Sequence, residues 1–161
     1  MSGPDRVRVT TFVELSPGEA FGVFTRDVDI WWRKGPRFRF GKAREGVLAF
    51  EGGAGGKLAE RFDDGTAFEV GVVRTWEPGA RLVFEWRAQS FASDQHTEVE
   101  VTFSPKGEGT EVVLEHRGWA ALPDSHPARH GLKGRAFADM IGLWWGELAT
   151  AFRARARPDP G

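Results

Sequence analysis

The sequence predicts an α+β domain in which a seven-stranded antiparallel sheet packs against one long C-terminal helix, with two short helices after the first strand. Three observations predict it. Six short alternating or apolar segments follow one another between residues 47 and 117, separated by turn signals. A seventh opens the chain and runs into helix-start chemistry. Apolar residues then recur at helical spacing over residues 132–156.

Taken in order, Arg6 to Glu14 alternates, with Val7 and Val9 and then Phe12 and Val13, and reads as a strand. Ser16-Pro17-Gly18-Glu19 carries a cap residue, Pro at the first helical position and Glu three residues on. A short helix through Phe24 follows, and Thr25 is read as the cap of a second, through Val28, Trp31 and Trp32, stopped by Gly35-Pro36. The strands Val47–Phe50, Lys57–Phe62, Phe68–Trp76, Ala80–Arg87, His96–Phe103 and Thr110–Arg117 make a meander. Asp63-Asp64-Gly65, Glu77-Pro78-Gly79 and Pro105–Gly109 are its turns. On the last helix, Phe137, Ile141, Trp144, Leu148 and Phe152 form the stripe, widened by Met140 and Trp145. Gly142 and Gly146 interrupt it, which implies close approach to the sheet or room for a ligand.

Period-two alternation assigns the faces. Leu82, Phe84 and Trp86 share one face, as do Val99, Val101 and Phe103, and Val112, Leu114 and His116. Pairing Phe103 with Val112 and Val101 with Leu114 sets Val99 opposite His116 and turns that imidazole inward. Glu60 is the acid on the inward set of its strand, between Leu58 and Phe62. Phe68, Val70 and Val72 match the inward set, yet the turn at Pro78-Gly79 pairs Val73 with Phe84. A bulge near Val72 resolves the conflict, turns Arg74 outward and leaves Gly71 as space for the Trp86 ring.

The chain has 161 residues, the size of one domain, taken as residues 7–156 with flexible ends at 1–6 and 157–161. Its 22 basic and 23 acidic residues leave a formal charge of −1, which argues against a general nucleic-acid or anionic-membrane binder. Cysteine is absent, which excludes disulfides, thiol nucleophiles and Cys-ligated zinc. No apolar run is long enough to span a membrane and no signal-peptide core opens the chain, so a cytoplasmic protein is expected. There are 7 Trp and 13 Phe but no Tyr, enough aromatic area to line a large core or a ligand cavity.

His116 and Glu60 are therefore the candidate polar groups of the interior: a ligand-orienting pair, a general acid and base, or a hydrogen-bonded structural His beside a Glu reaching water. Ser/His/Asp catalysis lacks a G-x-S-x-G elbow. His126 and His130, with Asp124 nearby, have metal-ligand spacing, but Pro123 and Pro127 break the helix that spacing needs; no metal and no cofactor are expected. Glu51–Leu58 lacks the first Gly and the Ser/Thr of a phosphate loop and precedes a strand, so it reads as a hairpin turn. Arg33, Lys34, Arg37, Arg39, Lys42 and Arg44, interleaved with Phe38 and Phe40, read as a solvated loop at the rim of a cavity entrance.

Several stretches together resemble a known pattern: Glu60-Arg61-Phe62-Asp63-Asp64-Gly65, Gly71–Pro78, Leu82-Val83-Phe84-Glu85-Trp86 and Glu115-His116-Arg117-Gly118-Trp119, with Ser16-Pro17, Ala20-Phe21 and Trp31-Trp32 upstream. The order resembles the SRPBCC (START-like) superfamily over roughly residues 7–155, in the branch of homologues of the heat-shock-protein ATPase activator. The resemblance implies a helix-grip fold with a deep hydrophobic cavity between sheet and helix. Members bind lipids, polyketides, hormones or other apolar molecules, and some are cyclases or hydrolases. No universal catalytic set carries over, and the His116 segment is mainly architectural. The double aromatic Trp144-Trp145 departs from many relatives and would shrink or occlude the cavity.

The expectation is a binding module for a small hydrophobic molecule, aromatic or acyl, walled by Trp31, Phe50, Glu60, Trp76, Phe84, Trp86, His116, Trp144 and Leu148. The alternatives are a cyclase, dehydratase or hydrolase using His116 and Glu60, and a co-chaperone-like interaction domain using the basic loop around Arg37 and Arg39. A homodimer or a chaperone contact belongs with the last.

Overall fold

A computed structural model describes residues 5–41, 44–123 and 125–158. Lys42 of the basic run and Asp124 of the His-spaced segment lie outside the described residues. Strand β1 (Arg6–Val13) leads into helices α1 (Pro17–Arg26) and α2 (Val28–Trp31). Strands β2 (Gly46–Glu51), β3 (Lys57–Phe62), β4 (Ala67–Glu77), β5 (Arg81–Trp86), β6 (Thr97–Lys106) and β7 (Gly109–Arg117) follow. Helix α3 (Gly134–Arg155) closes the fold. The sheet order is β1-β7-β6-β5-β4-β3-β2, with every neighbour antiparallel.

This is the α+β architecture that the strand pattern predicts. The meander makes consecutive strands neighbours, and β1 joins by pairing with β7. The predicted β6–β7 register holds, with Phe103 opposite Val112, Val101 opposite Leu114 and Val99 opposite His116. Outward-facing residues form ion pairs across the convex face, among them Arg117 with Glu98 and Glu100, and Arg8 with Glu115. The inner face carries the apolar set against α1, α2 and α3.

Four local expectations need correction. Thr25 does not cap α2: it lies inside α1, its hydroxyl donating to the Phe21 carbonyl oxygen at 2.8 Å, and Asp27 is the boundary residue. The predicted single bulge near Val72 is two irregularities on either side of it. One falls between Val73 and Thr75 against β5, leaving Arg74 exposed as expected. The other is against β3, where Leu58 faces Gly71 and Ala59 faces Glu69. Gly71 makes space for backbone, not for the Trp86 ring: a Cβ there would collide with the Glu85 carbonyl oxygen. On α3 it is Trp145, 1% exposed, that takes the core axis, while Trp144 is only half-buried.

The α1 start is the capping box that the sequence signature describes. Ser16 Oγ accepts from the Glu19 N–H at 3.2 Å, and the Glu19 carboxylate accepts from the Ser16 N–H at 3.1 Å. Of the two glycines in α3, Gly142 approaches β1, where an added Cβ would sit 3.6 Å from Val7, while one at Gly146 would meet nothing within 4 Å.

Candidate ligand-binding interior

The interior divides into two aromatic clusters joined by the adjacent rings of Trp31 and Trp32, 5.5 Å apart. At the α1 end, Phe21 and Phe24 insert between sheet and helix. Phe21 meets Trp76 edge-on at 5.2 Å, Phe24 meets Phe152 at 5.3 Å, and Phe50 meets Phe84 at 5.4 Å. Four of the predicted wall residues, Trp31, Phe50, Trp76 and Phe84, belong to this cluster. They touch other core rings and line no sizeable void.

At the other end lie Trp86, His116 and Trp144. His116 is enclosed by Trp86, Trp119 and Trp145, with ring centroids at 5.0, 4.5 and 5.8 Å. Its hydrogen bonds fix its state. The Trp145 indole N–H can only donate, and it reaches His116 Nδ1 at 2.9 Å. The ring proton therefore sits on Nε2 and is donated to Thr97 Oγ1 at 2.6 Å. Thr97 passes its own proton to the Trp86 carbonyl oxygen at 3.2 Å. One directed chain thus ties α3 to β7, β6 and β5. Burial pushes the imidazole down to about 3, so it stays neutral. Both nitrogens are engaged, leaving neither for a reacting group.

Glu60 is fully buried, as the face count required. Its Oε1 accepts the Phe40 N–H at 2.8 Å, and Arg39 Nη1 stands 4.0 Å from Oε2. Three strands, β6, β5 and β4, lie between β7 and β3, so the sheet does not bring His116 and Glu60 together as a pair.

The basic segment is solvated at Arg33, Lys34, Arg37 and Arg44, as expected, but Phe38, Arg39 and Phe40 turn inward. Over residues 33–41 it forms a strap across this end of the interior, with Phe38 and Phe40 both buried. Phe38 stacks on Trp144 at 5.8 Å, and Phe40 stacks on Phe68 at 5.4 Å. Arg39 is buried because every part of its head group is used. Nε donates to the Arg33 carbonyl oxygen, Nη1 to Asp29 Oδ1, and Nη2 to the carbonyl oxygens of Asp29 and Trp32. Burial opposes ionisation of Asp29, but bonds from the Leu48 N–H and Arg39 hold its carboxyl below the usual value. Sequence alternation could not find this role, because basic residues alternating with Phe read as surface until their partners are placed.

Two spaces remain. A seam of about 20 Å³, room for about one water, runs under α3 beside β1 and β7; Trp31, Leu148, Phe24 and Phe152 line it, with Val9, Leu114 and Trp145, which are not among the expected wall residues. A polar cleft of about 220 Å³ lies outside the strap, between Lys34, Arg39 and Arg44 on one side and Gly46 and Glu60 on the other. The deep cavity that the resemblance implies is thus filled in this conformation, and Trp144-Trp145 contribute to filling it. Among the described residues, no group of His, Asp and Glu could hold a metal. His126 instead caps a short turn, Nδ1 accepting from the Ala128 N–H and Nε2 facing Gln95 Oε1 at 3.0 Å. Among the described residues no helix is long and apolar enough to cross a membrane.

Known proteins with the same arrangement are distant in sequence. No functionally curated protein matches the chain. Protein MLL2253 from Mesorhizobium loti is 18% identical, with a TM-score of 0.63 over 92% of this chain and 94% of that one. The Aha1 dimer from Colwellia psychrerythraea is 14% identical, with a TM-score of 0.65 over 97% and 98%. DynU16, described as a putative protein in the dynemicin biosynthetic locus, is 21% identical, with a TM-score of 0.57; the match covers 97% of this chain and 51% of DynU16. These likenesses establish the fold, and a family model fixes the lineage. Because that model matches residues 12–140, the chain belongs to the family of activator of Hsp90 ATPase homolog 1-like proteins.

Proposed function

We propose that this domain binds a small, mostly apolar molecule, aromatic or acyl, between the concave face of the sheet and α3, at the end closed by the strap. The observation that carries the reading is the convergence there of Trp32 from just after α2, Trp86 from β5 and Trp144 from α3, closed by phenyl rings that a non-repetitive segment supplies. Aromatic walls with few polar groups are what ligand sites of this kind use. DynU16, a structural neighbour, is described as a putative protein in the dynemicin biosynthetic locus, and a biosynthetic setting agrees with the reading. The acid–base alternative is disfavoured because His116 spends both ring nitrogens on Trp145 and Thr97.

A ligand of drug size needs several hundred Å³, whereas the rings at the strap end pack against one another and the apolar seam toward the α1 end holds only about 20 Å³. Binding therefore proceeds with side-chain displacement. The test is a panel of aromatic and acyl compounds, read by Trp fluorescence and by melting temperature. A saturable quench with a concentration-dependent rise in Tm is expected. A panel that moves neither contradicts the proposal.

A further inference from the structure

We infer that the turn Gly35–Phe38 is a flap, that the Phe38 ring stands in for the ligand, and that the ligand is a planar aromatic molecule carrying a hydrogen-bond acceptor. This rests on the binding reading above and adds a route of access and a chemical class.

The strap has a fixed part and a light part. Arg39 and Phe40 are the fixed part: Arg39 is held by four bonds to Asp29, Trp32 and Arg33, and Phe40 by Glu60. Gly35 to Phe38 is held far less. The Phe38 and Arg39 N–H groups both donate to the Gly35 carbonyl oxygen, at 3.1 and 2.9 Å, which closes one turn on itself. Gly35 has φ +100, a left-handed conformation that glycine adopts without strain, at the point where a hinge is needed. The polar ties between this turn and α3 are the exposed pair Arg37 Nη2 to Glu147 Oε2, at 2.9 Å, and the Trp144 N–H donated to the Arg37 carbonyl oxygen at 2.8 Å. An exposed ion pair holds weakly. Where the turn meets the fixed part, the Trp32 indole N–H donates to the Phe38 carbonyl oxygen at 2.9 Å, and the Phe38 ring is stacked on Trp144 with an interplanar angle of 24°.

A planar ring is thus already seated on an indole face, and the group presenting it is hinged. The donors behind it give the second half of the inference. Swinging the turn away frees the Trp144 N–H. Next to Trp144, at 6.0 Å between centroids, lies Trp86, whose indole N–H is buried and has no acceptor among the described residues. A buried donor without a partner is costly, and a carbonyl or ether oxygen on the incoming molecule removes that cost. A cation finds no acceptor on these indole nitrogens, which only donate.

The test uses two nearly isosteric probes, 2-acetylnaphthalene, which carries an acceptor, and 2-ethylnaphthalene, which does not. Each is titrated into the wild type, Phe38→Ala and Glu147→Ala, with tryptic cleavage after Arg37 followed in parallel. We expect the acetyl probe to bind about tenfold more tightly than the ethyl probe. Phe38→Ala removes the stand-in ring and tightens both by about tenfold, and Glu147→Ala tightens them about twofold. Bound probe speeds cleavage after Arg37. Equal affinities for the two probes overturn the acceptor, and affinities and cleavage indifferent to Phe38→Ala and Glu147→Ala overturn the flap; binding itself stands in both cases. No binding to any of the three proteins overturns the binding reading itself. Near-UV circular dichroism verifies the fold of Phe38→Ala, and Glu147→Ala tests the flap without touching the core.

Discussion

The two ends of the interior hold comparable aromatic content but are closed by different means. At the α1 end, a capped helix brings Phe21 and Phe24 in on adjacent turns, and their neighbours come from strands or from α3. At the strap end, Phe38 and Phe40 come from a segment outside the regular elements, held by a buried arginine and a buried glutamate. Rings carried by a helix move only if the helix moves. Rings carried by a short hinged turn move with that turn. The comparison teaches that burial alone does not distinguish permanent core from stand-in: Phe24 is 3% exposed and Phe38 6%.

Stability measurements on matched truncations break the comparison most sharply. Phe24→Ala empties a core site and costs about 3–5 kcal/mol in urea unfolding. Phe38→Ala costs about 2 kcal/mol or less, because the loss cannot exceed the free energy that keeps the flap closed. Equal costs at the two sites would mean that the strap is ordinary core.

The next effect is a pH dependence rooted in the strap end. His116 is neutral when folded, with its titration near 3, whereas the unfolded ring titrates near 6.5. The unfolded chain therefore takes up a proton below pH 6.5 that the folded chain refuses. The contribution is fully present above 6.5 and lost as pH falls, at about 1.4 kcal/mol per pH unit until about pH 3. His126, shifted down by burial and by Arg129, adds to it with the same sign. Asp29, Glu100 and Glu115, all shifted down despite burial by their hydrogen bonds and arginine neighbours, add losses in the carboxylate range at lower pH. Between pH 6.5 and 5 the wild type should lose roughly 2 kcal/mol, and His116→Gln should flatten that slope. An unchanged slope in the variant would mean that the imidazole is not held neutral.

Two smaller effects sharpen the contrast. Ser16→Ala removes the α1 cap and costs about 1 kcal/mol, with no change in cleavage after Arg37; a change there would couple the two ends. Gly146→Ala meets open space and should stabilise α3 by about 0.8 kcal/mol in thermal unfolding. Destabilisation would mean that the seam beside β1 is closed more tightly than the geometry indicates.

What was legible in the sequence follows the same division. Alternation fixes which face of a strand is buried, so the β6–β7 register and the inward turn of His116 and Glu60 could be read from the residue order. The Ser16 cap is local chemistry and was equally readable. Distances between strands are not local. Nothing in the order of residues says that three strands stand between His116 and Glu60, or that Trp145 rather than Trp144 takes the core axis. The strap was illegible for a related reason. Arg39 is buried only because the Asp29 carboxylate and the carbonyl oxygens of Asp29, Trp32 and Arg33 surround its guanidinium, and no periodicity signals a non-repetitive segment that packs inward. The resemblance gave the architecture but described a hollow that these side chains fill.

The central claim is that one end of the interior opens for an aromatic guest while the other stays shut. Residue-resolved amide hydrogen exchange with and without 2-acetylnaphthalene tests it most directly. The account predicts faster exchange at the Phe38 and Arg39 amides, whose shared acceptor is the Gly35 carbonyl oxygen, and unchanged exchange at Ala20 in α1. Protection that stays constant at Phe38 and Arg39, or that falls at Ala20 instead, would contradict it.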